Sequence, residues 1–340
     1  MIIRKIAYPR AALIGNPSDG YHGKTIAFVF RNFQAEIMLY ETPELVLVPT
    51  VRDNTVFSDM KALSADVKQY GYYGGIRLMK AAVKKFHDYC CQNGISLPEK
   101  NFTMRYFSTI PNRLGLAGSS ALITAAMRAM FTFYGLTVTP GRLASLVLAA
   151  EREELDIPAG LQDRVAQAYN MPVFMDFDKA YMDSHDGMGK YEKFDLPDDM
   201  NLFIAYRTDL AEGSEVLHSR LREDFNAGKK EVLDAMKEWA FLTEEMRLAV
   251  GARDREKIMR LIDRNFDLRC EVCASAVSEK NRRMVELARS AGASAKLTGS
   301  GGAVIGCYRD EKMYEKLCRT LKEEHIETLK PQIVRSGGEA

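Results

Sequence analysis

A chain of 340 residues, 46% apolar and 27% charged, is long enough to bury sizeable cores and suggests about two globular domains. Its formal net charge of +1 at pH 7 excludes the broad basic surface of a polyanion binder, so nucleic acid is not an expected partner. No run approaches the roughly 18 apolar residues of a membrane span, the first residues are too soon interrupted by charge for a signal peptide, and six cysteines in so long a chain do not make a disulfide framework; a reducing, cytoplasmic setting with no membrane partner is expected.

In chain order, residues 25–31, 33–40, 44–50 and 102–107 read as strands, rich in β-branched and aromatic side chains. Between them, Ile76, Met79, Val83, Phe86 and Tyr89 recur at helical spacing, predicting a helix over 74–91 that stops before Asn93-Gly94. Further helices are predicted from Ser119 or Ser120 to Tyr134, with Gly135 as the stop, over 140–155 and over 161–169, followed by a short strand at 172–177. The polar segment 178–200 reads as a crossing between domains. Beyond it come a strand at 201–206, helical stretches at 213–250, 254–272 and 278–291, strand material at 296–297 and 303–308 around a glycine turn, a helix at 310–323 and a strand at 326–334. Strands and helices clustered in this way point to two α+β halves, 1–190 and 191–340.

One segment carries chemistry on its face. Pro111-Asn112-Arg113-Leu114-Gly115-Leu116-Ala117-Gly118-Ser119-Ser120 follows a strand and opens a helix. A glycine-bearing loop at a helix N-terminus aims unpaired N–H groups at its occupant, which suits phosphate. Gly115 and Gly118 allow close backbone approach, and the paired serines offer a phosphate donor and a metal ligand. An ordinary serine N-cap fits the same residues. Upstream, Gly23-Lys24-Thr25 ends like the P-loop pattern, but residue 18 is Ser rather than Gly and a strand-like run follows where a helix is required. Cys270 and Cys273 form a lone C-x-x-C with no second pair at zinc spacing, and read as small hydrophobes in a helix.

The loop resembles the signature of the GHMP kinases, departing from it by one extra residue at Ala117-Gly118. Two further segments fit that family: Pro9 to Asp19 resembles its first motif, and Lys296-Leu297-Thr298-Gly299-Ser300-Gly301-Gly302-Ala303 its third. Together with GYYGGIRL, AGLQDRVAQAY and NFDLR, the wording from about residue 8 to residue 310 is similar to the plant glucuronokinases. The resemblance implies a two-domain GHMP fold, with a ribosomal-protein-like N-terminal half and a ferredoxin-like C-terminal half. It implies ATP and Mg²⁺ as cofactors, a monomer or homodimer, and phosphorylation of the C1 hydroxyl of a sugar acid such as D-glucuronate. Another sugar, uronic acid or polyol remains open as the acceptor, and so does a non-catalytic sugar and ATP sensor.

The same resemblance implies roles. Pro111, Gly115, Leu116, Ala117, Gly118, Ser119 and Ser120 would hold the nucleotide, and Ser120 and Glu151 the metal. Asp163 would be the catalytic aspartate and Arg10 would lie beside the transferring phosphate. Asp19, Asn16, Gly160, Tyr72 and Gly301 would contact the acceptor. Arg269 or Arg77 would take the acid group, with Tyr72 and Tyr73 as hydroxyl donors or stacking platforms. Asn16-Pro17 departs from the galactokinase Glu-His, which disfavours galactose. Read without the family, Glu151 belongs to an acidic run typical of solvated helix faces, and Asp163 is compatible with a simple helix N-terminal acid.

Overall fold

Strands β1 (Ile2–Ala7) and β2 (Arg10–Ile14) open the fold, where only a short apolar run was legible. The computed structural model describes residues 2–50, 53, 56–64, 74–207, 215–274 and 277–335, and for 215–220 the backbone alone. Tyr72 and Tyr73 therefore lie outside the described residues.

The first sheet has the order β1, β4 (Ala35–Thr42), β6 (Asn101–Ser108), β5 (Val46–Leu47), with β5 the parallel partner. Against it pack α1 (Ile76–Gln92) and α2 (Gly118–Phe133). Helix α2 is buried along nearly its whole length, as a helix that is apolar all round must be. The second sheet, antiparallel throughout, runs β2, β3 (Lys24–Val29), β7 (Val173–Asp176), β8 (Lys190–Lys193). Every residue of β2 is buried because it is covered on both faces: α4 (Gln162–Tyr169) touches it, as do α7 (Lys230–Gly251) and α8 (Arg255–Val272). Helix α3 (Pro140–Arg152) packs on α4.

The third sheet, β10 (Lys296–Leu297), β11 (Ala303–Cys307), β9 (Leu202–Arg207), β12 (Ile326–Leu329), is covered by α9 (Glu279–Ser290) and α10 (Glu311–Lys322), which bury a second, smaller core. The larger core runs from the first two sheets into α7 and α8, so the halves share apolar packing.

Four expectations need correction. Segment 178–200 is more than a crossing: it holds the short α5 (Lys179–Asp183) and β8, whose Lys190 pairs with Asp176, so the second sheet continues past residue 190. The helical stretch 213–250 is two helices, α6 (Glu215–Asn226) and α7, separated where Gly228 turns left-handed at φ 68°. The third long helix ends at Arg152 rather than Leu155. The last strand ends at Leu329, and the chain then crosses to the second sheet, where Ile333 bridges Phe30 and the Val334 amide donates to the Val29 carbonyl at 2.9 Å.

The first and third motifs meet directly. The Ala12 amide donates to the Thr298 carbonyl at 3.1 Å, and Lys296, fully buried, donates through Nζ to the carbonyls of Ala12 (2.7 Å) and Leu297 (2.9 Å). Burial, reinforced by the charges of Arg269 and Arg10, holds the Lys296 pKa well below the ordinary lysine value. A lysine with a depressed folded pKa binds fewer protons folded than unfolded. Its contribution to stability therefore grows as pH rises from the depressed value towards about 10.4. In urea unfolding between about pH 7 and about pH 9, the wild-type protein is expected to gain stability relative to Lys296→Met. Parallel pH dependences in the two proteins would contradict a buried, depressed Lys296.

Candidate active site

The loop after β6 and the glycine turn after β10 are packed against each other. Gly115 is left-handed at φ 63°, and a Cβ there would stand 2.8 Å from the Gly301 carbonyl oxygen. Only glycine fits both the dihedral and the contact. The loop ends at Ala117, itself left-handed at φ 61°, and α2 begins at Gly118 with no side-chain cap. An uncapped helix start at a cavity is an anion-binding element. Ser120 is buried, and its hydroxyl donates to the Ala117 carbonyl at 3.2 Å.

That cavity has a volume of about 560 Å³, and residues 111–120 line one side of it. Arg10, at the start of β2, joins the walls. Its backbone amide donates to the Leu116 carbonyl at 3.1 Å, and Nη1 donates to the carbonyls of Thr298 (2.5 Å) and Gly115 (3.3 Å). Its Nη2 lies 2.6 Å from Oδ1 of Asp163. The Arg10 side chain is 4% exposed and that of Asp163 17%, so the carboxylate is the more open of the two to the cavity they both line.

Asp163 stands in the first turn of α4, and Arg164 behind it forms a second hub. Fully buried, Arg164 bonds the Glu151 carboxylate through Nε and Nη2, donates Nη1 to the Gly160 carbonyl at 2.7 Å, and lies 3.6 Å from Oδ2 of Asp163. Burial alone would lower the Arg164 pKa, but the Glu151, Asp163 and Asp19 charges raise it. Burial also pushes Glu151 above the usual carboxylate range, against the pull of Arg164. Glu151 is thus no solvated surface acid.

The first-motif turn closes the cavity from the other side. Asp19, 4% exposed, accepts from the amides of Leu161 (2.8 Å) and Gln162 (3.2 Å) through Oδ2, and so caps α4 from a distant part of the chain. Burial first and the Asp163 charge second raise its pKa, opposed by those two amides. Its Oδ1 receives only a long bond, 3.4 Å, from the Gln162 side chain. Asn16 also lines the cavity and donates to the Leu297 carbonyl at 3.3 Å, while its Oδ1 and the Oε1 of Gln162 are buried without a partner.

Of the expected site residues, the cavity wall unites Arg10, Asn16, Asp19, Glu151, Gly160, Asp163, Arg269 and the loop residues from Pro111 to Ser120. Two expectations change. Gly301 faces Asn281 rather than the cavity, and Gly299 and Ser300 supply the third motif's lining. Arg269, expected as a candidate for the acid group, is buried, and its Nη1 and Nη2 are taken by the carbonyls of Gly299 (2.8 Å) and Ser300 (3.2 Å), so it clamps the turn. Burial lowers its pKa to about 10. Arg77 lines the cavity too. Sequence reading missed Arg164 and Gln162, although both adjoin Asp163. Cys270 and Cys273 are free cysteines, and the described residues contain no cluster of metal-ligating side chains around them. Lys24 of the P-loop-like Gly23-Lys24-Thr25 pairs with Asp176 and Glu244.

Whether Glu151 and Ser120 suit a magnesium ion turns on what their oxygens already do. Both bonds from Arg164 to Glu151 fall on Oε2, Oε1 accepts no hydrogen bond from a described residue, and Glu151 and Ser120 line the same cavity. One carboxylate oxygen and one hydroxyl beside a phosphate site match the hard, oxygen-preferring ion, which takes its remaining ligands from phosphate and water.

Comparison with known proteins agrees with this geometry. Residues 77–171 match the model of the GHMP kinases N-terminal domain, and residues 246–324 that of the GHMP kinases C-terminal domain. The chain is 38% identical over 303 residues to glucuronokinase 1 of Arabidopsis thaliana, covering 88% of this chain and 83% of that protein. It is 40% identical over 304 residues to the probable glucuronokinase 2 of the same plant, covering 88% and 82%. Among solved structures, Streptococcus pneumoniae phosphomevalonate kinase in complex with phosphomevalonate and AMPPNP superposes with a TM-score of 0.77 at 14% identity, covering 98% of this chain and 100% of that one.

The Asp19 cap generates a stability test. A Cβ on Gly160 would stand 2.5 Å from Asp19 Oδ2, so Gly160→Ala must push the carboxylate off the α4 amides. The expected loss in urea unfolding is about 1–3 kcal/mol, the range for overpacking a filled site. A change below about 0.5 kcal/mol, as at an unconstrained surface position, would contradict the cap.

Proposed function

The chain belongs to the GHMP kinase family, and from that membership we propose that it transfers the γ-phosphoryl group of ATP to the C1 hydroxyl of D-glucuronate, giving glucuronate 1-phosphate and ADP. The observation that carries the proposal is the Arg10–Asp163 pair at 2.6 Å, standing in one cavity with the uncapped start of α2 and the Asp19 turn. The two Arabidopsis relatives, named as glucuronokinases and matched over most of their length, favour this acceptor over a neutral sugar. AMPPNP in the streptococcal neighbour favours ATP as donor.

The geometry supports the following division of labour. The triphosphate lies along residues 111–120, where the α2 N-terminus and the loop amides meet its charge. Asp163 orients the C1 hydroxyl and accepts its proton as the oxygen-to-phosphorus bond forms and the bond to the β-phosphate oxygen breaks, which leaves ADP. Arg10 keeps Asp163 aimed, and its charge lies beside the developing charge of the transferred group. Ser120 and Glu151 would hold magnesium, which when bound supplies charge neutralisation for the phosphates. Asp19, Asn16 and Gln162 offer acceptor atoms to sugar hydroxyls.

Two measurements test this. Among D-glucuronate, D-galacturonate, D-glucose, D-galactose and a polyol, ADP release is expected to be fastest with D-glucuronate; release with another acceptor and none with D-glucuronate would overturn the assignment. Asp163→Asn is expected to lower kcat by about 10²–10⁴, the usual worth of a positioned acid or base, while AMPPNP binds as to wild type. Undiminished turnover in that variant removes Asp163 from the role.

A further inference from the structure

A sugar acid differs from a neutral sugar by its carboxylate, and a guanidinium fork is the side chain that recognises that group most specifically. Most guanidiniums near Asp19 are already divided. Arg10 serves Asp163, Thr298 and Gly115; Arg164 serves Glu151 and Gly160; Arg269 has both terminal nitrogens on Gly299 and Ser300. Arg152 places Nε and Nη2 on the Ala159 carbonyl.

Arg222 differs from all of these. It lies on α6 three residues before Phe225 and so shares a helix face with it. Phe225 packs on Tyr21, 5.0 Å between ring centroids, and on His22 at 6.3 Å, which docks α6 on the first-motif turn Ser18–Tyr21. The Arg222 guanidinium thereby comes over the Tyr21 ring, 5.8 Å from its centroid, with Nη2 4.0 Å from the Cβ position of Gly20, the residue after Asp19. It is half-buried and makes no hydrogen bond or ion pair with any described residue. Its charge acts on Arg152, together with those of Arg164, Asp19 and Glu151. The adjacent Tyr21 hydroxyl is buried and also lacks a partner. A guanidinium over a tyrosine ring, with no hydrogen-bonded or ion-paired partner among the described residues, favours the arrival of an anion.

We propose that Arg222 is the carboxylate anchor of the acceptor site, gripping the C6 carboxylate of the sugar acid at the first-motif turn while Asp163 meets the C1 hydroxyl. This rests on the sugar-acid reading above. Arg222 is then a specificity-determining residue, and of the two arginines expected from sequence to take this part, Arg269 is a clamp on the third motif and Arg77 lines the cavity wall.

The test compares steady-state ADP release by wild type, Arg222→Ala and Arg222→Lys, with D-glucuronate and with D-glucose, at saturating ATP. Arg222→Ala is expected to raise the KM for D-glucuronate about 10- to 100-fold, the worth of a charge-assisted hydrogen bond. The KM values for D-glucose and for ATP should not move, and Arg222→Lys should recover part of the loss. An unchanged KM for D-glucuronate in Arg222→Ala overturns the inference, and so does an equal loss for both sugars, which would make Arg222 a scaffold for the turn. Wild type that releases no ADP with D-glucuronate would defeat the function proposed above, whereas wild type that turns it over while Arg222→Ala does so equally well defeats only the anchor.

Discussion

One buried guanidinium, that of Arg10, ties together three of the stretches of chain that line the cavity. Its backbone and side chain reach the phosphate loop at Leu116 and Gly115, the third motif at Thr298, and the aspartate at the head of α4. A buried charge is tolerated when it is paired, and removing one partner of such a pair typically costs about 3–5 kcal/mol. Arg10 therefore constrains three separate stretches of chain at once. If any of the three moved, a charge would be left stranded. The same constraint fixes where Asp163 points.

Around that centre the protein assembles an unusually dense set of buried ionic groups. Arg164 holds Glu151 and Asp163, Asp19 spends one oxygen on capping α4, and Lys296 joins the first and third motifs through carbonyls alone. Such groups contribute little net stability, and their benefit is a preorganised field that does not have to rearrange during the reaction. Several polar atoms in the same region have no hydrogen-bond partner among the described residues: Nε of Arg10, Oδ1 of Asn16, Oε1 of Gln162 and Nε of Arg269. Native interiors rarely leave such atoms unpaired away from a site of function.

Much of the fold and the core of the site could be read before any coordinates, because local chemistry dictates it. A glycine- and serine-bearing turn between strand and helix marks 111–120 as the opening of a helix, which it is, and helical periodicity marks α1 within two residues of its observed ends. What stayed hidden is tertiary. Nothing in the local pattern says that Glu151 in an acidic run is fully buried, because its partner Arg164 looks like any charged residue of a short helix. Arg269 looked like a surface arginine suited to a carboxylate, and only the packing of α8 under the third motif shows that two carbonyls already occupy it. Likewise Gly228 could equally sit within a helix or end one, and the neighbouring charged periods concealed the break.

The central claim is geometric: Asp163, steered by Arg10, faces an acceptor hydroxyl whose incoming phosphate rests on the start of α2. A crystal structure of the protein with AMPPNP and D-glucuronate measures it directly. The account expects the γ-phosphate against Gly118–Ser120 and the C1 oxygen within about 2.6–3.2 Å of the Asp163 carboxylate. A triphosphate bound elsewhere, or a sugar acid whose C1 oxygen points away from Asp163, would contradict it.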